Sequence, residues 1–278
     1  MKIGEALRKI RLDLGLSQAQ MCEGVVQRPF YALVESGKSG IGAESLMRVL
    51  IKHEVDLDYF YNLIADTYIT ENEKLNKNLQ MIMENAVNSK DLDLINQCEN
   101  EILNFSTNEV LKLRARVTSA YFQKCLNKID DNLKNSIYKK FDKDNWINCP
   151  DLLRLLANTM PLWEQEALDI MIKYLLRRIK RESVNSELML ERYIRILGNY
   201  LVTCYDRDFY RQEKILINEI INYIIEVTNS FHLIIYRLHA YYMSALFEKN
   251  SQKMQNICEN LKEYGYAHIT VSWPKMKV

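Results

Sequence analysis

A chain of 278 residues that is 48% apolar can bury a sizeable core, and such a length suggests about two domains. Its formal net charge of +1 excludes a global field drawing it towards nucleic acid, so any such binding must rest on a local patch. The start MKIGEALRKIR and the lack of a long uncharged apolar run predict neither a signal peptide nor a membrane span, so a cytoplasmic protein is expected.

Six of the eight glycines lie within the first 42 residues, so short, sharply turned elements give way to long helices. Ile3, Leu7, Ile10 and Leu14 recur at helical spacing and predict the buried stripe of a first helix, with Arg8, Lys9 and Arg11 on its polar side. The stretch from Leu16 to Lys38 is punctuated as two short helices meeting at a tight turn. Ser17 caps the first, Gln20 reaches back to the cap's amide, and Gly24 supplies the backbone freedom where that helix stops. Val25 and Val26 turn the corner. The second helix begins near Gln27, tolerates Pro29 in its first turn and ends at Gly37, which makes the pair a helix-turn-helix. Ala43 to His53, with Leu46, Val49 and Leu50 as its packing face, and Leu57 to Ile64 complete a compact five-helix domain over residues 1–65.

The strings IGEALRKIR, LGLSQ, VESGK and DLDYFYNL make residues 1–65 similar to the lambda-repressor-like, XRE-type helix-turn-helix domain, in the version carried by the Rgg/GadR/MutR transcriptional regulators of Gram-positive bacteria. The resemblance implies that the helix from Gln27 to Ser36 enters the major groove and that Gln18 meets a phosphate. Helix geometry puts Gln27, Arg28, Ala32 and Leu33 on the exposed face, with Lys38 just beyond, and assigns Phe30, Tyr31 and Val34 as buried anchors. Arg28 suits guanine and Gln27 suits adenine, while Leu33 and Pro29 leave contact with thymine methyls open. Arg8, Lys9 and Arg11 are the candidate phosphate contacts. Glu35 is expected to fix the turn rather than touch DNA. Residues 1–60 hold eight Lys and Arg against eight Asp and Glu, which favours an alternative: a helical-repeat interaction module whose first domain docks protein instead of DNA.

The remaining residues read as helix after helix. Thr70 with Glu73 and Ser106 with Glu109 have the capping-box spacing, and Asn88, Asn185 and Asn229 stand at breaks. Short connections force antiparallel neighbours, and each pair leaves an apolar face for the next to cover. The expected fold is therefore all-α, with the helix-turn-helix domain followed by a TPR-like right-handed α-solenoid with a concave inner surface, although the repeat's own sequence signature is absent. NWINCPDLLRLLANTM and ERYIRILGNYLVTCY look like the regulatory domain of the same family. The expected division is a DNA-binding domain at 1–65, a linker and first regulatory helix at 66–88, and a helical-repeat regulatory and dimerisation domain at 89–278.

The resemblance further implies quorum sensing: the regulatory domain would hold a short, hydrophobic signalling peptide. Asn158 and Asn199 interrupt apolar helical runs, and a carboxamide offers donors and an acceptor to an extended peptide backbone. Arg192, Arg195 and Asn199 recur at helical spacing and present one polar stripe to such a peptide and its terminal carboxylate, with Arg154 one turn before Asn158. The alternative for both asparagines is a cap or an inter-helix hydrogen bond, since Asn158 stands near Thr159 and Pro161 at a helix end, and for the arginines it is a solvated surface.

The motifs of catalysis are missing: there is no glycine-rich phosphate loop, no GxSxG and no HExxH. His232 and His239 lie seven apart, read as one helix face, without a carboxylate partner. The six cysteines have neither CxxC pairing nor zinc spacing and read as reduced thiols. No enzyme activity, cofactor or metal is expected. A homodimer held by the carboxy-terminal helices is expected, lost on truncation after Asn229 and indifferent to reductant, because no cysteine lies between Cys22 and Cys98.

Overall fold

The computed structural model describes residues 1–142, 144–182 and 186–277, so the expected break at Asn185 lies outside the described residues. The described residues form α-helices and short 3₁₀ turns with no strand, and no helix among them is long and apolar enough to cross a membrane. The chain separates into two compact units, Met1–Asn78 and Leu79–Val278.

Five helices build the core of the first unit: α1 (Ile3–Asp13), α2 (Gln18–Cys22), α3 (Arg28–Glu35), α4 (Ala43–Lys52) and α5 (Leu57–Tyr68). The capping box forms as its spacing predicts, Ser17 Oγ accepting from the Gln20 amide at 3.3 Å and Gln20 Oε1 accepting from the Ser17 amide at 2.8 Å. Gly24 and Gly37 both stand at φ +71, the left-handed conformation needed where α2 and α3 stop. Ala6, Leu7, Ile10, Met21, Tyr31, Val34, Val49, Leu50 and Phe60 close the core. Leu14 does not join the stripe expected of it. Helix α1 ends at Asp13 and the chain reverses at Gly15, so Leu14 is left 47% exposed.

Two contacts fix α3 against α1. A Cβ on Gly4 would come within 1.9 Å of the Val34 carbonyl oxygen, so only glycine lets the helices approach this closely. Beside it, Glu35 is buried and bridged by Arg11, whose Nε and Nη2 donate to the two carboxylate oxygens at 2.6 and 3.0 Å. Gln18 Nε2 donates to the same carboxylate at 2.9 Å. Burial opposes ionisation of Glu35, but the hydrogen bonds from Arg11 and Gln18 outweigh it and hold the carboxyl below its ordinary range.

Helix α6 (Glu71–Ser89) begins with the Thr70–Glu73 capping box and carries the division between the units. After it come α7 (Leu92–Phe105), α8 (Glu109–Phe122), α9 (Asp131–Tyr138), α10 (Pro150–Thr159), α11 (Gln165–Arg181), α12 (Glu187–Asp206), α13 (Lys214–Val227), α14 (Ile234–Phe247) and α15 (Ser251–Glu263). The expected Ser106–Glu109 box is replaced: α8 starts at Glu109, and its cap is Asn108, whose carboxamide accepts from the Leu111 amide at 3.0 Å. His232 and His239 do not share a helix either, since His232 sits in a 3₁₀ turn ahead of α14. Helices α8, α10, α12 and α14 pack in succession as one layer, and α7, α13 and α15 pack against it. This is the stacked-hairpin, TPR-like arrangement. A single apolar core runs from Leu113 on α8 to Trp273 near the chain's end.

The Arg11–Glu35 bridge sets a clear expectation for stability. Glu35→Ala strands a buried guanidinium and should weaken the first unit by about 3 to 5 kcal/mol, whereas the pair of changes Arg11→Met and Glu35→Leu should recover most of that loss. Hydrogen exchange at the α1 and α3 amides of the full chain measures both. Equal protection in wild type and Glu35→Ala would show that the bridge holds nothing.

Candidate functional site

The first candidate surface is the outer face of α3. Tyr31, Val34 and Glu35 point inward and anchor the helix, which leaves Gln27, Arg28, Pro29, Phe30 and Leu33 exposed at its amino end and Ala32 half-buried between the two sets. Phe30, expected as an anchor, is therefore a surface residue. The physical reason is the eight-residue length of α3: its narrow inner face is filled by Tyr31 and Val34. Arg28 and Lys38 are exposed and form no ion pair among the described residues.

The expected phosphate contacts divide. Arg8 is exposed and unpaired among the described residues. Lys9 is bound to Asp13 one turn on, at 2.8 Å. Arg11 is withdrawn altogether, because its guanidinium is spent on Glu35 and on the Leu16 carbonyl at 2.8 Å. Gln18 likewise gives its side-chain nitrogen to Glu35, so its amide group helps to position α3.

The second candidate surface is a groove over the inner layer of the second unit. Two adjoining cavities of about 790 and 450 Å³ share Val87, Thr118, Ala157, Asn158, Arg195 and Asn199 in their walls. All five residues expected to contact a peptide border this groove: Arg154, Asn158, Arg192, Arg195 and Asn199. Asn158 and Asn199 stand at the junction. Arg114 Nε donates to Asn158 Oδ1 at 3.1 Å, and Asn199 Nδ2 donates to the Ala157 carbonyl at 3.2 Å. A guanidinium only donates and a carbonyl only accepts, so both carboxamide orientations are settled. What remains over the groove, among the described residues, is the amide nitrogen of Asn158 and the carbonyl oxygen of Asn199, donor and acceptor for a peptide backbone.

The smaller cavity is cationic, with Arg114, Arg154, Arg192 and Arg195 facing only Glu84 and Glu191 on its wall. Arg154 is paired with Asp151 at 2.9 Å, and Arg195 with Glu191 at 2.8 Å and the Tyr236 hydroxyl at 3.0 Å. Arg114 bonds two neutral oxygens, those of Asn158 and Gln80, and Arg192 meets the Met189 sulfur at 3.1 Å. Burial first, and then the charge of Arg154, pushes Arg114 down to about 10 and lowers Arg192 as well. Both remain charged at neutral pH and neither has a carboxylate within ion-pair distance among the described residues. Such a site is built for an anion.

The larger cavity is different in kind. Ile194, Val202, Ile224, Ile235 and Trp273 line it, with His239 among them. Burial alone lowers the His239 imidazole to about 4, so it is neutral at physiological pH.

Sequence reasoning missed Arg114, which bonds Asn158 from another helix, and Tyr236, which bonds Arg195 and Glu191 from another helix. Arg114 had a signal: it shares the groove face of α8 with Leu111, Ala115 and Thr118, where an uninterrupted apolar stripe would be ordinary.

No family model and no curated protein sequence matches this chain. Solved structures do match it over nearly its whole length. A candidate transcriptional regulator from Listeria monocytogenes EGD-e superposes with a TM-score of 0.75 at 18% identity, covering 96% of this chain and 92% of that one. The SHP pheromone receptor Rgg2 of Streptococcus dysgalactiae gives 0.67 at 13% identity, covering 98% and 97%. PlcR of Bacillus thuringiensis, solved with the peptide PapR7 and DNA, gives 0.59 at 16% identity, covering 98% and 99%. At these identities the likeness is one of fold: this chain has the helix-turn-helix plus TPR-like architecture of those regulators.

Proposed function

We propose that this protein is a cytoplasmic, non-enzymatic transcription regulator of the Rgg type that reads a two-fold related DNA site as a homodimer and responds to a short, hydrophobic signalling peptide. The observation that carries the reading is the groove. It offers the Asn158 amide nitrogen, the Asn199 carbonyl oxygen and two guanidiniums without a carboxylate partner among the described residues, over apolar walls, in a fold shared with a solved pheromone receptor. The peptide lies extended across Asn158 and Asn199, with its terminal carboxylate among Arg114, Arg154, Arg192 and Arg195.

DNA contact falls to Gln27, Arg28, Leu33 and Lys38, with Arg8 on the backbone. The exposed Phe30 and Leu33 on α3 favour a second reading, in which that helix docks a protein. A gel shift on the gene's own upstream region at two salt concentrations separates them, since phosphate contact makes affinity fall steeply with salt. Arg28→Ala should lower specific affinity by about 1 to 3 kcal/mol, and unchanged binding in that variant would remove Arg28 from the reading face.

For the groove, calorimetric titration with heptapeptides separates anion capture from simple apolar adsorption. Any heptapeptide that binds should lose roughly tenfold in affinity when its carboxyl terminus is amidated, about 1.4 kcal/mol, and Arg114→Met should erase that difference. Equal binding of acid and amide forms by wild type would refute the carboxylate's placement.

Truncation after Asn229 is not a clean test of dimer formation, because α14 supplies Ala240, Met243, Ala245 and Leu246 to the core and its loss would undo the fold. The carboxy-terminal segments leave Phe231, Tyr264 and Val271 exposed at 78, 71 and 61%, apolar surface that a symmetric partner covers. Tyr264→Glu combined with Val271→Glu should yield monomers by sedimentation, and reductant should not. Dimers that persist in the double variant would move the interface elsewhere.

A further inference from the structure

The larger cavity holds a feature that neither the fold nor the backbone-binding asparagines require. Gly198 lies inside α12, a 20-residue helix, where glycine costs roughly 1 kcal/mol relative to alanine. Its φ is not in the left-handed region, and a Cβ built there meets only His239 Nδ1 at 3.5 Å and Cε1 at 3.6 Å, an ordinary contact. Alanine fits the backbone, so packing does not explain the glycine. Gly198 and His239 stand one methyl's contact apart and both line the larger cavity, so the glycine keeps the cavity wall bare beside the imidazole.

That ring has no hydrogen bond among the described residues and leans on Trp273, with centroids 5.1 Å apart and planes tilted by 53°. Around it stand Ile194, Ile224 and Ile235. The charged groups elsewhere on the cavity wall are Arg195, held by Glu191 and Tyr236; Arg207, held by Gln165 and the carbonyls of Met160 and Pro161; and the exposed Asp206 at the mouth. A charged side chain entering over His239 would be desolvated without a partner. A large ring with one polar edge loses nothing there, because the neutral imidazole offers it a hydrogen bond and Trp273 offers it a face.

We propose that Gly198 and His239 form a specificity-determining subsite that accepts one aromatic side chain of the bound peptide, with Tyr or Trp preferred over Phe because His239 pairs with their polar edge. This inference rests on the peptide reading above and adds to it a second anchor, on the apolar side of Asn199 from the arginine cluster.

The test is affinity selection by the full-length protein from a randomised library of free-carboxylate heptapeptides, read by mass spectrometry. Wild type should enrich Tyr and Trp at one position at least tenfold over Ala. Gly198→Met, whose flexible side chain would project into the cavity beside His239, should lose that enrichment while keeping a normal Tm and the preference for a free carboxylate. Should Gly198→Met fold poorly, Gly198→Ala gives the same trend at a few-fold. His239→Leu should retain aromatic selection but level Tyr and Trp with Phe, an effect that loss of packing alone would not produce. Peptides retained with no aromatic preference, or with a preference unchanged in the glycine variants, overturn the subsite and leave the peptide reading standing. No peptide retained by wild type overturns both.

Discussion

The buried carboxylate of Glu35 is the point on which the placement of α3 depends. Helix α3 is eight residues long and cannot hold itself in water; isolated helices of that length are marginal even with favourable sequences. Its position comes from elsewhere, from Arg11 on α1 and Gln18 on α2 converging on the last residue of α3, with Gly4 allowing the backbones to touch. A charge buried this deeply is costly unless it is matched in geometry, and a bidentate guanidinium is the match. The consequence is orientation: with its carboxyl end pinned and Tyr31 and Val34 sunk in the core, α3 can present only the face that carries Arg28 and Leu33.

The second unit solves the same problem across a larger surface. Each inner helix is tied to the next by a polar contact laid over apolar packing: Arg114 of α8 to Asn158 of α10, Asn199 of α12 to the Ala157 carbonyl of α10, and Arg195 of α12 to the Tyr236 hydroxyl of α14. Beneath the groove, the Tyr200 hydroxyl donates to Asp169 at 2.6 Å, the Gln165 amide donates to it at 2.7 Å, and Arg207 donates to the Gln165 carbonyl at 3.1 Å. Fully satisfied buried networks of this kind specify one arrangement of helices, where an apolar core alone tolerates several. The groove's amides are therefore held by the same bonds that hold the helices.

How much of this was legible in the sequence depended on whether the signal was local. The Ser17–Gln20 and Thr70–Glu73 boxes and the stops at Gly24 and Gly37 are local bargains between neighbours, and all form as spacing predicts. The Ser106 box failed to a local rival, since Asn108 caps the same helix two residues later. Arg11 and Lys9 carry the same charge as Arg8, and nothing local reveals that Glu35, 24 residues away, draws Arg11 inside. Phe30 is hydrophobic yet exposed, because α3 is too short to bury two large rings. In the groove, Asn158 and Asn199 were legible as polar interruptions of apolar runs. Arg114 showed only as a break in an apolar stripe, and its partners, like those of His239, exist only once α8 stands beside α10 and α12 beside α14.

The energetic consequence for signalling follows from which bonds in the groove are replaceable. Arg114 spends its guanidinium on two neutral oxygens, and hydrogen bonds to a carboxylate are about twice as strong. On the proposed reading, a peptide terminus arriving there draws on the same guanidinium that bonds Asn158, and so acts on the tie between α8 and α10. Coupling between sites generally amounts to about 1 to 3 kcal/mol, the size of one such exchange. A ligand that merely filled the apolar cavity would bind without choosing between helix arrangements, and a ligand that binds two states equally shifts neither. On the proposed reading, selectivity lies in the apolar cavity and signalling lies at Arg114, so the two properties are separable by mutation within one groove.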